Sequence, residues 1–556
     1  MDIGARRVID PALGWEELRA RFRWQVPERF NMAAAVCDAW AEADPGRLAI
    51  IDLGREGAAA ERREISFGAF RERADRLANA LAALGVGRGD RVGVLLAQSA
   101  EVLISHVAIW KLGAISLPLF IPFGPDALAW RLGDSAARAL ITDRASLPKV
   151  AAIRDRLPAL EHVIAVDGPE AGALGLEELL ARAAPRRETA PTAAEDPAMI
   201  IYTSGTTGPP KGALHAHRFL LGHLPAVELQ HEHFPQPGDR MWTPADWAWI
   251  GGLMNIAVSA LWYGVPVIAR RFARFDPEAA FALIREEGAR NLFLPPTALK
   301  LMRQAAVPRG LAIRSIMSGG ESLGADMLAW GREALGVAIN ETYGQTECNL
   351  VLTSCAGLGV QKPGWIGKAV PGHEVAIIDA EGRELPPGEL GEIAVRRPDP
   401  VMFLGYWNNP AKTAAKFTGP WMRTGDLGRR DEEGYFAFES RDDDVITSAG
   451  YRIGPTEIEN CLTGHAAVAM AAAVGVPDPV RTEVIWAYVV PAAGVRWSEA
   501  LEAELIGRVR ERVSPHVAPR RVIPIEAMPL TATGKIMRRE LRARAEAERG
   551  GGGAAG

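Results

Sequence analysis

Short apolar runs alternate with Ala/Leu-rich stretches of helical periodicity through the first part of the chain, and no other feature narrows the choice of fold as far. The spacing predicts a helix over Phe70–Leu84, ended by Gly85 and Gly87, then a strand over Arg91–Leu96. A helix over Glu101–Leu112 and a strand over Ala114–Leu119 follow, and Ala139–Thr142 and His162–Val166 read as further strands. Such β–α–β order predicts an α/β fold with parallel strands. The apolar stretch Val92–Leu119 is broken by Gln98, Ser99, Glu101, His106 and Lys111, so it reads as strand, helix, strand and not as a membrane span. A chain of 556 residues exceeds one compact core, and two or more domains are expected.

The texture changes after about Gly364. Val375–Asp379, Glu392–Arg396 and Tyr435–Phe438 are short strand candidates separated by turns such as Glu381-Gly382 and Pro386-Pro387-Gly388. The acidic run Asp442-Asp443-Asp444 introduces a smaller α+β stretch. The expected division is residues 1–442, 443–545 and a Gly/Ala-rich tail, 546–556, expected to be disordered.

A net charge of −5 gives no nucleic-acid footprint. The four cysteines, Cys37, Cys348, Cys355 and Cys461, form no CxxC pair or zinc-spaced cluster, which suits a reducing cytoplasm. The N-terminus shows no apolar signal core. Monomer and homo-oligomer both remain open.

The apolar run Ala198-Met199-Ile200-Ile201 reads as a buried strand leading into TSGTTGPPKG, Thr203–Gly212. Gly205, Gly208 and Gly212 permit positive φ and close backbone approach. Successive backbone N–H groups can form an anion nest. Thr203, Ser204, Thr206 and Thr207 add hydroxyls and Lys211 a cation, together a polyphosphate cradle. The spacing fails the GxxxxGK[ST] pattern.

Further motifs follow: SGGES at Ser318–Ser322, YGQTE at Tyr343–Glu347, TGD at Thr424–Asp426, SRDDDVI at Ser440–Ile446, GYRIGPTEIE at Gly450–Glu459 and TGKIMRR at Thr533–Arg539. In this order, over about residues 30–545, the chain resembles the adenylate-forming superfamily of acyl-CoA synthetases, peptide-synthetase adenylation domains and luciferases. The resemblance implies a large N-terminal adenylation domain of stacked sheets and a small mobile α+β lid. It also implies a two-step reaction with ATP, Mg2+ and coenzyme A: acyl-adenylate and pyrophosphate form first, then the thiol displaces AMP.

Roles carry over by motif position. Gly320, Glu321 and Ser322 would line the adenine pocket, with Glu341, Thr342, Tyr343, Gly344 and Gln345 also at the nucleotide, where Tyr343 offers its ring. Thr346 would bond the α-phosphate. Glu347, with Thr206, would hold Mg2+, a hard cation suited to oxygen ligands. Asp426 and Arg441 would bind the ribose, and Asp443 would be the hinge. Lys535 would meet negative charge developing between carboxylate and α-phosphate.

For CoA, the resemblance to medium-chain synthetases implicates Ala449, Gly450, Tyr451, Arg452, Arg481 and Arg520, the arginines suiting phosphate. Ala449 stands where the family commonly has Ser, and Ser440 where it has Gly. For the acid, WTPADWAWIGG at Trp242–Gly252 implies a pocket of Trp247, Trp249, Ile250, Gly251, Met254, Gly319 and Gly344. Acetate-dedicated members carry Trp at the position of Gly344, so its loss is expected to admit short- to medium-chain, branched or aromatic acids. At about 0.8 kcal/mol per buried CH2, four more carbons are worth roughly 3 kcal/mol. Alternatives are a stand-alone adenylation enzyme loading a carrier protein, an acetate–CoA ligase, and a non-catalytic nucleotide sensor.

Overall fold

The computed structural model describes residues 3–55, 62–170, 172–203, 209–320, 323–441, 444–448, 451–478, 482–515, 517–531 and 534–551. Among these lie three sheets. An eight-stranded sheet runs in the order Gly405–Tyr406, Lys211–Ala216, Pro197–Thr203, Ile115–Pro118, Arg91–Leu95, Ala139–Thr142, His162–Ala165 and Leu174–Gly175. Its pairs from Pro197–Thr203 onward are parallel. The helix Phe67–Ala83 begins where the Ser66 hydroxyl accepts the Ala69 N–H, and Gly85 beyond its end takes φ +86°. Helix Ala100–Lys111 is buried almost all round, and Lys111 and His106, which broke the apolar stretch in the sequence, are fully enclosed. The Lys111 ammonium pairs with Asp38 and Asp75, the pairing that a buried cation requires.

The second sheet has 14 strands. Leu48–Arg55, Val267–Arg271, Met241–Trp242, Asn291–Phe293, Ser315–Gly319 and Ile339–Gln345 form its parallel half. From Cys348–Thr353 on, through Gly367–Ala369, Tyr435–Arg441, Trp421–Arg430, Gly391–Arg396 and Val375–Ile378, the neighbours are antiparallel. The change of texture after Gly364 therefore falls within one continuous sheet.

The third sheet lies wholly in the C-terminal part: Tyr451–Ile453, Ile446–Ser448, Thr482–Pro491 and Val468–Asp478, with Arg521–Pro524 paired parallel to Thr482–Pro491. Along Val468–Asp478, Ala471 and Ala473 face one core with Ile458, Leu462 and Leu505, while Ala472 and Val474 face another with Leu541 and Ala545. That period-2 alternation puts helices on both faces. The fold is thus α/β with a large N-terminal and a smaller C-terminal domain. One expectation needs correction. The last helix, Arg538–Gly551, continues through 546–551, part of the stretch read as a disordered tail, and Arg544 pairs with Glu548 one turn on. Residues 552–556 lie outside the described residues. No helix among the described residues is long and apolar enough to cross a membrane.

Candidate active site

In a parallel sheet, ligands collect beyond the carboxyl ends of the strands. Ser315–Gly319 and Ile339–Gln345 are parallel neighbours with Ser318 opposite Glu341 and Gly319 opposite Thr342. The SGGES and YGQTE motifs therefore leave the sheet side by side. Gln345 then pairs with Cys348, so Thr346 and Glu347 occupy a two-residue turn. Gly320 takes φ +101°, a conformation that glycine adopts without strain. Glu321 and Ser322 lie outside the described residues.

The Glu341 carboxyl accepts the Leu323 N–H at 3.4 Å, and its burial lifts its pKa to about 7. Thr342 donates to the Leu352 carbonyl and accepts from Gln230, so its hydroxyl is spent inside the fold. The Tyr343 hydroxyl donates to Asp426 Oδ2 at 2.6 Å, and Gln345 Nε2 donates to the same oxygen at 2.6 Å. Burial and the Asp426 charge push the Tyr343 phenol well above its ordinary pKa. Gly425 of TGD has φ +77° and donates its N–H to Glu392, which also pairs with Arg423. Across that hairpin Asp426 stands opposite Arg441.

On the other sheet, Thr203 pairs with Lys211 across the base of the phosphate loop. Residues Ser204, Gly205, Thr206, Thr207 and Gly208 lie outside the described residues. Gly212 serves close approach: a Cβ there would lie 2.7 Å from Ile200 Cγ2. The Lys211 ammonium sits 4.5 Å from the centroid of the Tyr406 ring, whose hydroxyl donates to Glu347 Oε1. Glu347 is 7% exposed. Among the described residues no cluster of three or more His, Cys, Asp or Glu side chains could hold a metal by itself. A single buried carboxylate is the donor set that suits Mg2+ carried on substrate phosphates.

Lys535 stands on a tight turn. Gly534 at φ +84° donates its N–H to the Thr531 carbonyl, and Lys535 N–H donates to the Thr531 hydroxyl. The turn closes a cavity with Trp249, Pro295, Pro296, Thr297, Gly319 and Gly320. Between the larger and the smaller domain, Arg303 donates to the Thr463 carbonyl at 3.3 Å. Asp443, the expected hinge, lies outside the described residues.

A second concavity lies on the smaller domain, lined by Ser448, Val484, Ile485, Arg510, Pro515, Ala518, Pro519 and Arg520. Ser448 pairs with Tyr451 and Thr447 with Arg452 in the adjoining antiparallel pair of strands. Ala449, Gly450 and Arg481 lie outside the described residues. Arg510 had no motif to mark it. It ends up beside Arg520 because helix Glu499–Arg512 packs across the sheet.

Of the residues expected at the acyl pocket, Trp247, Ile250 and Met254 are buried in the main core. A Cβ at Gly344 would lie 2.3 Å from the Leu350 nitrogen, and one at Gly319 2.6 Å from the Thr342 carbonyl oxygen. One at Gly251 would lie 2.8 Å from Phe293 Cε1. Each of these glycines therefore has a close neighbour where a side chain would begin. Trp249, 5.4 Å from the Phe293 ring, is the aromatic that reaches the cavity with Lys535.

Residues 37–407 match the family described as "AMP-binding enzyme", and residues 457–535 match the "AMP-binding enzyme C-terminal domain". The chain is 34% identical over 492 residues to the acetyl-coenzyme A synthetase of Bacillus subtilis, covering 86% of this chain and 84% of that protein. It is 34% identical over 549 residues to the human mitochondrial acyl-coenzyme A synthetase ACSM5, covering 95% and 92%. Among solved structures, the anthranilate CoA ligase AuaEII in complex with anthranoyl-AMP superposes with a TM-score of 0.87 at 28% identity, covering 94% of this chain and 99% of that one.

Proposed function

The chain belongs to the AMP-binding enzyme family, and from that footing we propose how its residues carry out the reaction. It is an AMP-forming acid–CoA ligase, using ATP, Mg2+ and CoA. The carboxylate of the acid attacks the α-phosphorus of ATP and the bond to pyrophosphate breaks. The CoA thiol then attacks the acyl carbonyl and AMP leaves.

In this reading the loop Thr203–Gly212 cradles the β- and γ-phosphates, with Lys211 as its cation. Gly320, Glu321, Ser322 and Glu341 surround the adenine. Asp426, oriented by Tyr343 and Gln345, accepts the ribose hydroxyls. Thr346 bonds the α-phosphate. Glu347 holds Mg2+, which when bound neutralises phosphate charge. The division falls at 442/443, and Asp443 turns the smaller domain as a lid. Arg510 joins Arg520, Arg481 and residues 449–452 in receiving the phosphates of CoA. Four free cysteines favour a cytoplasmic setting.

The observation that carries this reading is the position of Lys535, in one cavity with Gly319, Gly320 and Trp249. There its ammonium meets the charge that builds as the carboxylate attacks, and such preorganised stabilisation is worth about a hundredfold or more in rate. For the acid, the apolar faces of Trp249, Pro295 and Pro296 favour an uncharged body of short to medium length, branched or aromatic. In the Lys535→Ala variant, pyrophosphate release should fall by about a hundredfold, while thioester formation from supplied acyl-adenylate and CoA persists. Equal loss of both half-reactions would contradict the role given to Lys535.

A further inference from the structure

The segment Phe403–Asn408 touches Glu347, the strand that begins at Lys211, and Asp134, yet it belongs to none of the motifs that marked the site. Phe403 N–H donates to the Glu347 carbonyl at 2.9 Å. Tyr406, 5% exposed, donates its hydroxyl to the Glu347 carboxylate. The face of the same ring lies 4.5 Å from the Lys211 ammonium. Gly405–Tyr406 pairs antiparallel with Lys211–Ala216, Tyr406 opposite Ala213, and the Trp407 N–H donates to the Gly212 carbonyl at 2.7 Å. Trp407 Nε1 and Asn408 Nδ2 both donate to the Asp134 carbonyl, while the Asp134 carboxylate accepts the Tyr202 hydroxyl at 2.7 Å. Tyr202 is the residue just before the phosphate loop.

Glu347 comes from the 14-stranded sheet and Lys211 from the eight-stranded one. No backbone ladder joins them directly, so their separation must be set by something that holds both. We infer that Tyr406 is the positioning residue that fixes the Glu347 carboxylate and the Lys211 ammonium on two sides of one phenol ring, presetting the spacing that a metal–triphosphate requires. The hydroxyl orients the carboxylate. The ring face gives the ammonium a cation–π seat. Tyr406 itself is anchored by its own N–H, which donates to the Thr413 hydroxyl at 2.8 Å, and by edge contact with Phe403. Outer-shell partners of a metal carboxylate commonly account for ten- to a hundredfold in affinity. The inference rests on Glu347 being the metal carboxylate.

The test compares the full chain with Tyr406→Phe, Tyr406→Ala and Glu347→Gln. Mn2+ binding is read from the free Mn2+ paramagnetic resonance signal in the presence of α,β-methylene-ATP, with AMP binding measured alongside without metal. Tyr406→Phe should weaken Mn2+ binding by about tenfold and leave AMP binding intact. Tyr406→Ala should weaken it further by removing the ring beside Lys211. Wild-type Mn2+ affinity in Tyr406→Phe, with Glu347→Gln impaired, would overturn the role of Tyr406 and leave Glu347 standing. Wild-type affinity in Glu347→Gln would remove the metal reading of Glu347, and the inference with it. Loss of AMP binding in Tyr406→Phe would also overturn it, because the damage would then extend beyond the triphosphate end.

Discussion

At Glu341, which accepts the Leu323 N–H, burial raises the carboxyl pKa to about 7. Below that pH it is protonated, and above it the carboxylate is a stronger acceptor for a base amino group. The KM for ATP should therefore fall as pH rises from 6 to 8, and Glu341→Gln should flatten the profile. A wild-type profile already flat across that range would remove Glu341 from the adenine site. Gly344 gives a second residue-scale prediction. A Cβ there meets the backbone nitrogen of Leu350, itself held at φ +58°. Gly344→Ala should lower stability by about 1–3 kcal/mol, and Gly344→Trp should impair adenylation of every acid, acetate included. A stable Gly344→Trp protein with improved acetate activity would restore the vacated-pocket argument.

At the scale of elements, the smaller domain gathers hairpin 446–453, strand Thr482–Pro491 and helix Glu499–Arg512 around one concavity. Arg510→Ala should raise the KM for CoA by about tenfold, the loss of one charge-assisted phosphate contact, with pyrophosphate release unchanged. If KM for CoA does not move, the concavity is not the CoA site. Elements of this kind were partly legible in the sequence. Apolar runs and their breakers located Phe67–Ala83, Arg91–Leu95, Ala100–Lys111, Ile115–Pro118, Ala139–Thr142 and His162–Ala165 to within a few residues, because those signals are local. Strand pairing was not legible, since it joins distant segments. Nothing local says that Tyr435–Arg441 lies beside Gly367–Ala369 in the sheet that contains Ser315–Gly319. The site followed the same rule. Motif residues could be read locally, while Tyr406, Glu392 and Arg510, placed by long-range packing, carried no local signal. Composition likewise cannot distinguish a glycine that leaves space from one required by a close neighbour, as at Gly344.

Across the whole molecule, the account depends on a lid that presents Lys535 to the larger domain in one pose and withdraws it in another. Arg303 joins the larger domain to the Thr463 carbonyl in the observed pose, so Arg303→Ala should slow pyrophosphate release by about tenfold, the worth of one hydrogen bond from a charged donor being about 1.5 kcal/mol. Thioester formation from supplied acyl-adenylate should be unaffected. An equal slowing of both steps would mean that Arg303 supports the fold and not the pose. The central claim is that the adenylate made in that pose is passed to CoA. The direct measurement follows pyrophosphate and AMP separately across acetate, butyrate, hexanoate, isobutyrate and benzoate, with and without CoA. Pyrophosphate should appear with ATP, Mg2+ and at least one of the longer, branched or aromatic acids, and AMP release should accelerate sharply when CoA is added, with one thioester formed per AMP. If CoA leaves AMP release unchanged for every acid that releases pyrophosphate, the chain activates acids for another acceptor and the ligase account is wrong.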